Sequence, residues 1–233
     1  MPTVSYETFM RRKSLLILLI GIVLAGGFIA YQQLVLQKEV KTLLATIPEK
    51  YDEVFEIVFS SDGKLVAYLA RQGGKSFVVI DGKEGKRYNW TGDLIFSPDS
   101  QKFAYMVLRE GKSFIVVNGQ EGQVYDWVGH PVFSPDSQKL AYIARREGKR
   151  FIVVNGQEGQ AYDWVGHHVF SPDSQKLAYI AGREGKWFIV VNGQKGQAYD
   201  DQVWPPIFSP DSKYIAYGTR HGRELWWIVE EVK

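Results

Sequence analysis

The stretch FSPDSQKLAYIA, residues 133–144, recurs unchanged at 170–181. Three close variants stand at 59–70 (FSSDGKLVAYLA), 96–107 (FSPDSQKFAYMV) and 208–219 (FSPDSKYIAYGT). The opening residues Phe59, Phe96, Phe133, Phe170 and Phe208 are spaced by 37, 37, 37 and 38 positions. A fixed period of this size marks a repeat architecture, in which a unit buries its apolar faces only against its neighbours.

Each unit reads as strands and tight turns. Ser97-Pro98-Asp99-Ser100 has the chemistry of a type I turn, with proline fixing φ at its second position; Ser60-Ser61-Asp62-Gly63 places glycine fourth, which that turn also favours. An apolar strand follows, for example Leu140-Ala141-Tyr142-Ile143-Ala144, apolar on both faces and so expected to be buried on both. Glu147-Gly148-Lys149 turns the chain into Phe151-Ile152-Val153-Val154, and Asn155-Gly156 is a strong hairpin signal. A short strand near Gln160 to Asp163 and the strand leading into the next Phe bring the count to four strands per unit. Four short strands at a constant period predict an all-β fold, a five-bladed β-propeller over residues 51–233. By this reading Tyr68, Tyr105, Tyr142, Tyr179 and Tyr217 are core, and Asp62, Asp99, Asp136, Asp173 and Asp211 are turn residues.

The pattern FSPDS-x-K, an apolar residue, then Ala-Tyr resembles the repeat of the periplasmic TolB-type and WD-like β-propeller proteins. There Ser-Pro-Asp-Gly is followed by Lys and an Ile-Ala-aromatic strand. The resemblance covers 51–233. It implies the fold, and it leaves activity open because propellers host many functions.

The two ends of the repeat region complement each other. Tyr51-Asp52 stands eight residues before Phe59, as Tyr88-Asn89, Tyr125-Asp126 and Tyr162-Asp163 stand before the Phe that follows each; before Phe208, Tyr199-Asp200 stands nine away. Trp226-Trp227-Ile228-Val229 aligns with Phe151-Ile152-Val153-Val154, after which the final Tyr-Asp strand is missing. The expectation is that Tyr51 to Val54 completes the blade begun at Phe208 and closes the ring, which leaves no open edge; the alternative is an open arc that pairs with a second copy.

Ahead of the repeats, Leu15 to Tyr31 is a run of 17 residues without a charge, preceded by Arg11-Arg12-Lys13. Such a run predicts a spanning helix over 14–31. The basic cluster places residues 1–13 in the cytoplasm and the propeller on the extracytoplasmic side, periplasmic or extracellular. A cleaved signal peptide ending at Ala25-x-Gly27 is the alternative. Apolar residues at Leu36, Val40, Leu43, Leu44 and Ile47 predict a juxtamembrane helical stalk over 32–50 ended by Pro48.

Composition narrows the function. The chain has no Cys, which excludes disulfides, thiolate catalysis and Cys-ligated zinc. The first fifty residues hold six of the 28 Lys and Arg and three of the 26 Asp and Glu, so the remainder is close to neutral. A nucleic-acid binder would show a basic stripe, and none is present. No GxSxG, Walker, HExxH or post-strand GxGxxG motif occurs, and no cofactor is indicated.

Candidate sites lie where the units differ. Trp90, Trp127 and Trp164 occupy the same slot of successive units, with Trp204 nearby in the next. If they face outward they form an aromatic rim suited to a protein partner or a sugar. Trp187, Trp226 and Trp227 lie on strands and are expected to be packed. Four residues before each Phe come Phe55, Gly92, Gly129, Gly166 and Trp204. Next to these stand Glu56, Asp93, His130, His167 and Pro205, with His168 beside His167. These are candidates for the mouth of the central channel, where imidazole and carboxylate together suit a divalent metal. Glu56 and Asp93 are also the one carboxylate pair available for glycan hydrolysis. The expected function is a non-catalytic, membrane-anchored scaffold that binds an envelope protein, with a glycan- or metal-binding module next and a glycan hydrolase third.

Overall fold

The computed structural model of the chain describes residues 21–24, 28–31 and 43–232. Two units are present, 1–43 and 44–233. Of the first, the described part is an antiparallel pair, Gly21–Leu24 with Phe28–Tyr31. Most of the expected spanning helix, and residues 32–42 of the stalk, lie outside the described residues. The described parts of 14–31 are strands rather than helix. Their β-branched residues Ile22, Val23 and Ile29 suit a strand as well as a helix. Among the described residues no helix is long and apolar enough to cross a membrane. Where the stalk segment is described, 43–48 is irregular and Glu49-Lys50 form a turn. Pro48 disfavours helical backbone at Ile47.

The second unit is all-β. Five antiparallel sheets follow one another, each running first to last strand in chain order. The third blade is typical, with strands Trp127–Phe133, Leu140–Arg146, Lys149–Val154 and Gln157–Glu158. Its fourth strand is extended by a backbone bridge from Tyr162 to Arg150. The Asn-Gly pairs form the turn their chemistry predicts, since Asn155 has φ 48° and Gly156 φ 82°, both left-handed. The second strands of the first four blades are largely buried on both faces, that of the fifth on one, and Tyr68, Tyr105, Tyr142, Tyr179 and Tyr217 are all core.

The turn at the head of each second strand is held by its own side chains. Ser134 Oγ donates to Asp136 Oδ1 at 2.5 Å and accepts the Lys139 N–H at 2.9 Å, while Asp136 Oδ1 accepts the Gln138 N–H at 3.0 Å. The Ser134 hydroxyl holds the Asp136 carboxyl below the usual carboxylate range. The recurring aspartates are therefore turn residues.

Apolar cores join neighbouring blades, as when Tyr142, Ala144 and Phe151 of the third blade pack with Ala104 and Ile115 of the second. A polar ladder runs beside them. The backbone N–H groups of Asp62, Asp99, Asp136 and Asp173 donate to Ser100, Ser137, Ser174 and Ser212 of the following blade at 2.9–3.1 Å. A second ladder links Tyr88 to Glu121 (3.0 Å) and Tyr125 to Glu158 (3.1 Å). It stops at Lys195, which replaces that glutamate, and Tyr162 turns to Gln160 at 3.0 Å.

The expected ring closure does not form. The fifth sheet has three strands, Ile207–Phe208, Tyr214–His221 and Glu224–Glu231. Val54 pairs with Ala70 inside the first blade, as Val128 pairs with Ala144 in the third, and the Tyr51 phenol supplies the first rung of the tyrosine–glutamate ladder by donating to Glu84 at 2.9 Å, but no strand of the fifth sheet pairs with 51–54. The serine ladder has no rung here. Gly63 stands where the later blades carry the accepting serine, so the first blade has no hydroxyl for a preceding blade to use.

Candidate functional site

The first strand of each of blades 1 to 4 breaks register at one place: Phe55/Val58, Gly92/Ile95, Gly129/Val132 and Gly166/Val169. The two residues between are a β-bulge, and a bulge re-aims side chains. Glu56, Asp93, His130 and His167 open the four bulges with φ of 50°, 52°, 56° and 51°. Left-handed backbone is costly for Glu and His, and its recurrence in four blades marks a constrained position.

Two of these residues are tied to the next blade. Glu56 Oε1 accepts the Leu94 N–H at 2.5 Å, and Asp93 Oδ2 accepts the His130 N–H at 2.9 Å. Burial raises the Glu56 pKa, the Leu94 bond opposes this, and the Asp93 charge adds to it. His130 and His167 are exposed. His168 is largely buried, and desolvation pulls its pKa down to about 4; its Nε2 has no hydrogen-bond partner. Among the described residues no group of three or more His, Asp or Glu is arranged to hold a metal ion. The carboxylates that were candidates for metal binding or hydrolysis instead bond backbone amides of the following blade.

Trp90, Trp127 and Trp164 are half-buried at the start of their first strands. Each ring lies over the glycine two residues on. A Cβ on Gly129 would fall 2.6 Å from the Trp127 ring, and Gly92 and Gly166 are as closely covered by Trp90 and Trp164. The glycine is required because the indole occupies its side-chain space. Trp204 is out of register with these three. Its N–H bonds the Gly218 carbonyl at 2.9 Å, which sets it in the glycine slot, and Gln202 takes the tryptophan slot. The first blade does the same, with Glu53 in the tryptophan slot and Phe55 in the glycine slot. One aromatic ring per blade thus serves this place, from either slot. Phe55 is the member that reading the tryptophans alone misses. Its signal was present, since Phe55, Gly92, Gly129, Gly166 and Trp204 align.

The bulge residues and the aromatics, separate in the sequence, meet in blades 3 and 4. The Trp127 and His130 rings are 5.9 Å apart edge to face, and those of Trp164 and His167 are 6.0 Å apart. Trp187 packs edge-on against Trp164 at 5.3 Å. Trp226 and Trp227 were expected to be packed, yet they are 54% and 62% exposed, while Ile228, which lies between them and Val229, packs against the core shared with the fourth blade.

The fold and its repeat define a β-propeller with fold-level resemblance to TolB-type structures. No family profile matches the sequence, and no curated protein is similar to it. Among solved structures, the β-propeller domain of the Trilobed protease from Pyrococcus furiosus, described as having an open velcro topology, aligns with TM-score 0.54 and 14% identity. That alignment covers 79% of this chain and 69% of the other. An acylaminoacyl peptidase aligns with TM-score 0.50 and 15% identity over 79% of this chain and 39% of its own. TolB from Acinetobacter baumannii aligns with TM-score 0.41 and 17% identity, over 77% of this chain. The chain spans about half (52%) of that TolB chain. At these identities the likeness is one of fold.

Proposed function

We propose that the chain is a non-catalytic protein-binding scaffold, anchored in a membrane by residues 14–31 and presenting its propeller on the extracytoplasmic side to an envelope protein. The observation that carries this reading is the aromatic placed once in every blade beside the bulges: Phe55, Trp90, Trp127, Trp164 and Trp204. Half-buried aromatics held rigid by their own strands lose little entropy on binding, and Trp is enriched among the residues that dominate interfaces. The carboxylates nearby are held by backbone amides, which suits a structural role better than acid–base chemistry. The apolar run after Arg11-Arg12-Lys13 supports the anchor and its orientation.

The test is affinity capture from native membranes with the full-length chain as bait, beside a Trp90/Trp127/Trp164→Ala variant shown to be folded by circular dichroism. A defined protein held by the first and lost by the second supports the reading. Identical captures, or none, refute the aromatic face as the contact.

A further inference from the structure

The fifth blade carries an apolar face that no other blade covers. Alternation along paired strands sets Ile207, Tyr214, Leu225, Trp227 and Val229 on one side of its sheet. These five are 54%, 44%, 75%, 62% and 58% exposed. In the slot of Trp227 the preceding blades carry Ile115, Ile152 and Ile189, each 2–3% exposed because the next blade covers it. The fifth blade sets Trp227 in place of that Ile, and Leu225 in the slot held by Ser113, Arg150 and Trp187 in blades 2 to 4.

We propose that this face is a self-association surface on which a second copy of the chain docks, fifth blade against fifth blade, about a two-fold axis. The area suffices. With large side chains at about 150–250 Å² each, the exposed parts come to roughly 500 Å² per chain, so the pair buries about 1,000 Å², enough for a specific interface.

The first blade is not the complement of this face. Gly63 lacks the hydroxyl that accepts the preceding blade's amide. Tyr214 replaces the lysine whose amine reaches the next blade, as Lys139 Nζ reaches the Ser174 carbonyl at 2.7 Å. Tyr68, Ala70, Phe77 and Val79, the first-blade counterparts of Tyr142, Ala144, Phe151 and Val153, are already buried. Charge favours the two-fold arrangement. Arg220, which also bonds Asp201 of its own chain at 3.3 Å, and Glu231 lie on the apolar side at opposite ends of the sheet, both exposed. A two-fold axis that reverses strand direction therefore brings Arg220 of one copy to Glu231 of the other.

The test is sedimentation equilibrium of the full chain in detergent. Wild type is expected to dimerise, and Trp227→Glu to raise the dissociation constant by about 30-fold or more with an unchanged circular dichroism spectrum. Phe59→Glu, at an exposed position of the first blade, should leave the dimer intact. Because the chain has no Cys, Val229→Cys should cross-link on oxidation as a single dimer species. A wild type that stays monomeric across the accessible concentration range overturns the proposal. So does a dimer that survives Trp227→Glu, or one that Phe59→Glu dissolves, which would mean a head-to-tail contact.

Discussion

Replacing Ser137 isolates one bond between blades. Its hydroxyl accepts the Asp99 N–H at 2.9 Å, and the residue is 1% exposed. Its φ is 62°, in the region that favours glycine. Ser137→Ala keeps that strained backbone and leaves the Asp99 amide without its acceptor, at a cost of about 1–2 kcal/mol. For a domain of this size Tm falls by about 2–8 °C. Ser137→Gly loses the same bond but relieves left-handed strain worth about 1 kcal/mol, so it should cost less than alanine. Gly63 has φ 69° and receives no amide from a preceding blade. Gly63→Ser therefore gains strain and no bond, and should destabilise by about 1 kcal/mol. Thermal unfolding followed by circular dichroism measures all three. If Ser137→Ala is no worse than Ser137→Gly, or if Gly63→Ser is neutral, the account of the ladder is wrong.

Other sites extend the same reasoning. Gly129→Ala should destabilise by about 1–3 kcal/mol, because the new Cβ meets the Trp127 ring, and a shift in tryptophan emission should accompany the loss in denaturant titration. Lys195→Glu restores the carboxylate slot of Glu121 and Glu158 and should stabilise by up to about 1 kcal/mol, whereas a fall in Tm would refute the assigned role. His168 is neutral in the folded state down to about pH 4. Between that value and the ordinary imidazole pKa the unfolded chain binds the extra proton, so stability drops as the pH falls through this window. From pH 7 to pH 5 the loss is about 1–2 kcal/mol. His168→Gln should flatten this part of the profile, and an unchanged slope would show that another group titrates there.

The blade was legible because period, turn chemistry and strand pattern agree in five copies. Asn155-Gly156 and Ser134-Pro135-Asp136 specify their turns locally, and Tyr142 sits in a strand apolar on both sides. The candidate site was legible only as a set of positions. That Glu56 and Asp93 spend their carboxylates on amides of the next blade depends on a bulge, and a bulge leaves no clear mark in one sequence. The aromatic slots were half visible. Trp and Gly two residues apart in blades 2 to 4, with an aromatic in the glycine position of blades 1 and 5, encode one ring position by two routes. Ring closure was not legible because the missing strand and the extra strand agree in number, whereas Gly63 lacks the serine hydroxyl that accepts an amide from the preceding blade at 100, 137, 174 and 212.

That question can be put to every slot of the repeat. A serine with φ near 60° is a poor choice on backbone grounds, and glycine would fit better. Serine nevertheless stands at 100, 137, 174 and 212, where its hydroxyl receives an amide from the blade before, and glycine stands at 63, where the structure provides no such donor. The strain is thus kept only where a bond between blades offsets it. The same comparison explains Tyr214 and Trp227: each takes a position whose counterparts serve a following blade, and each replaces an inter-blade contact with exposed aromatic surface. In a chain of nearly identical units, the departures at the first and fifth blades carry the information about what those blades meet.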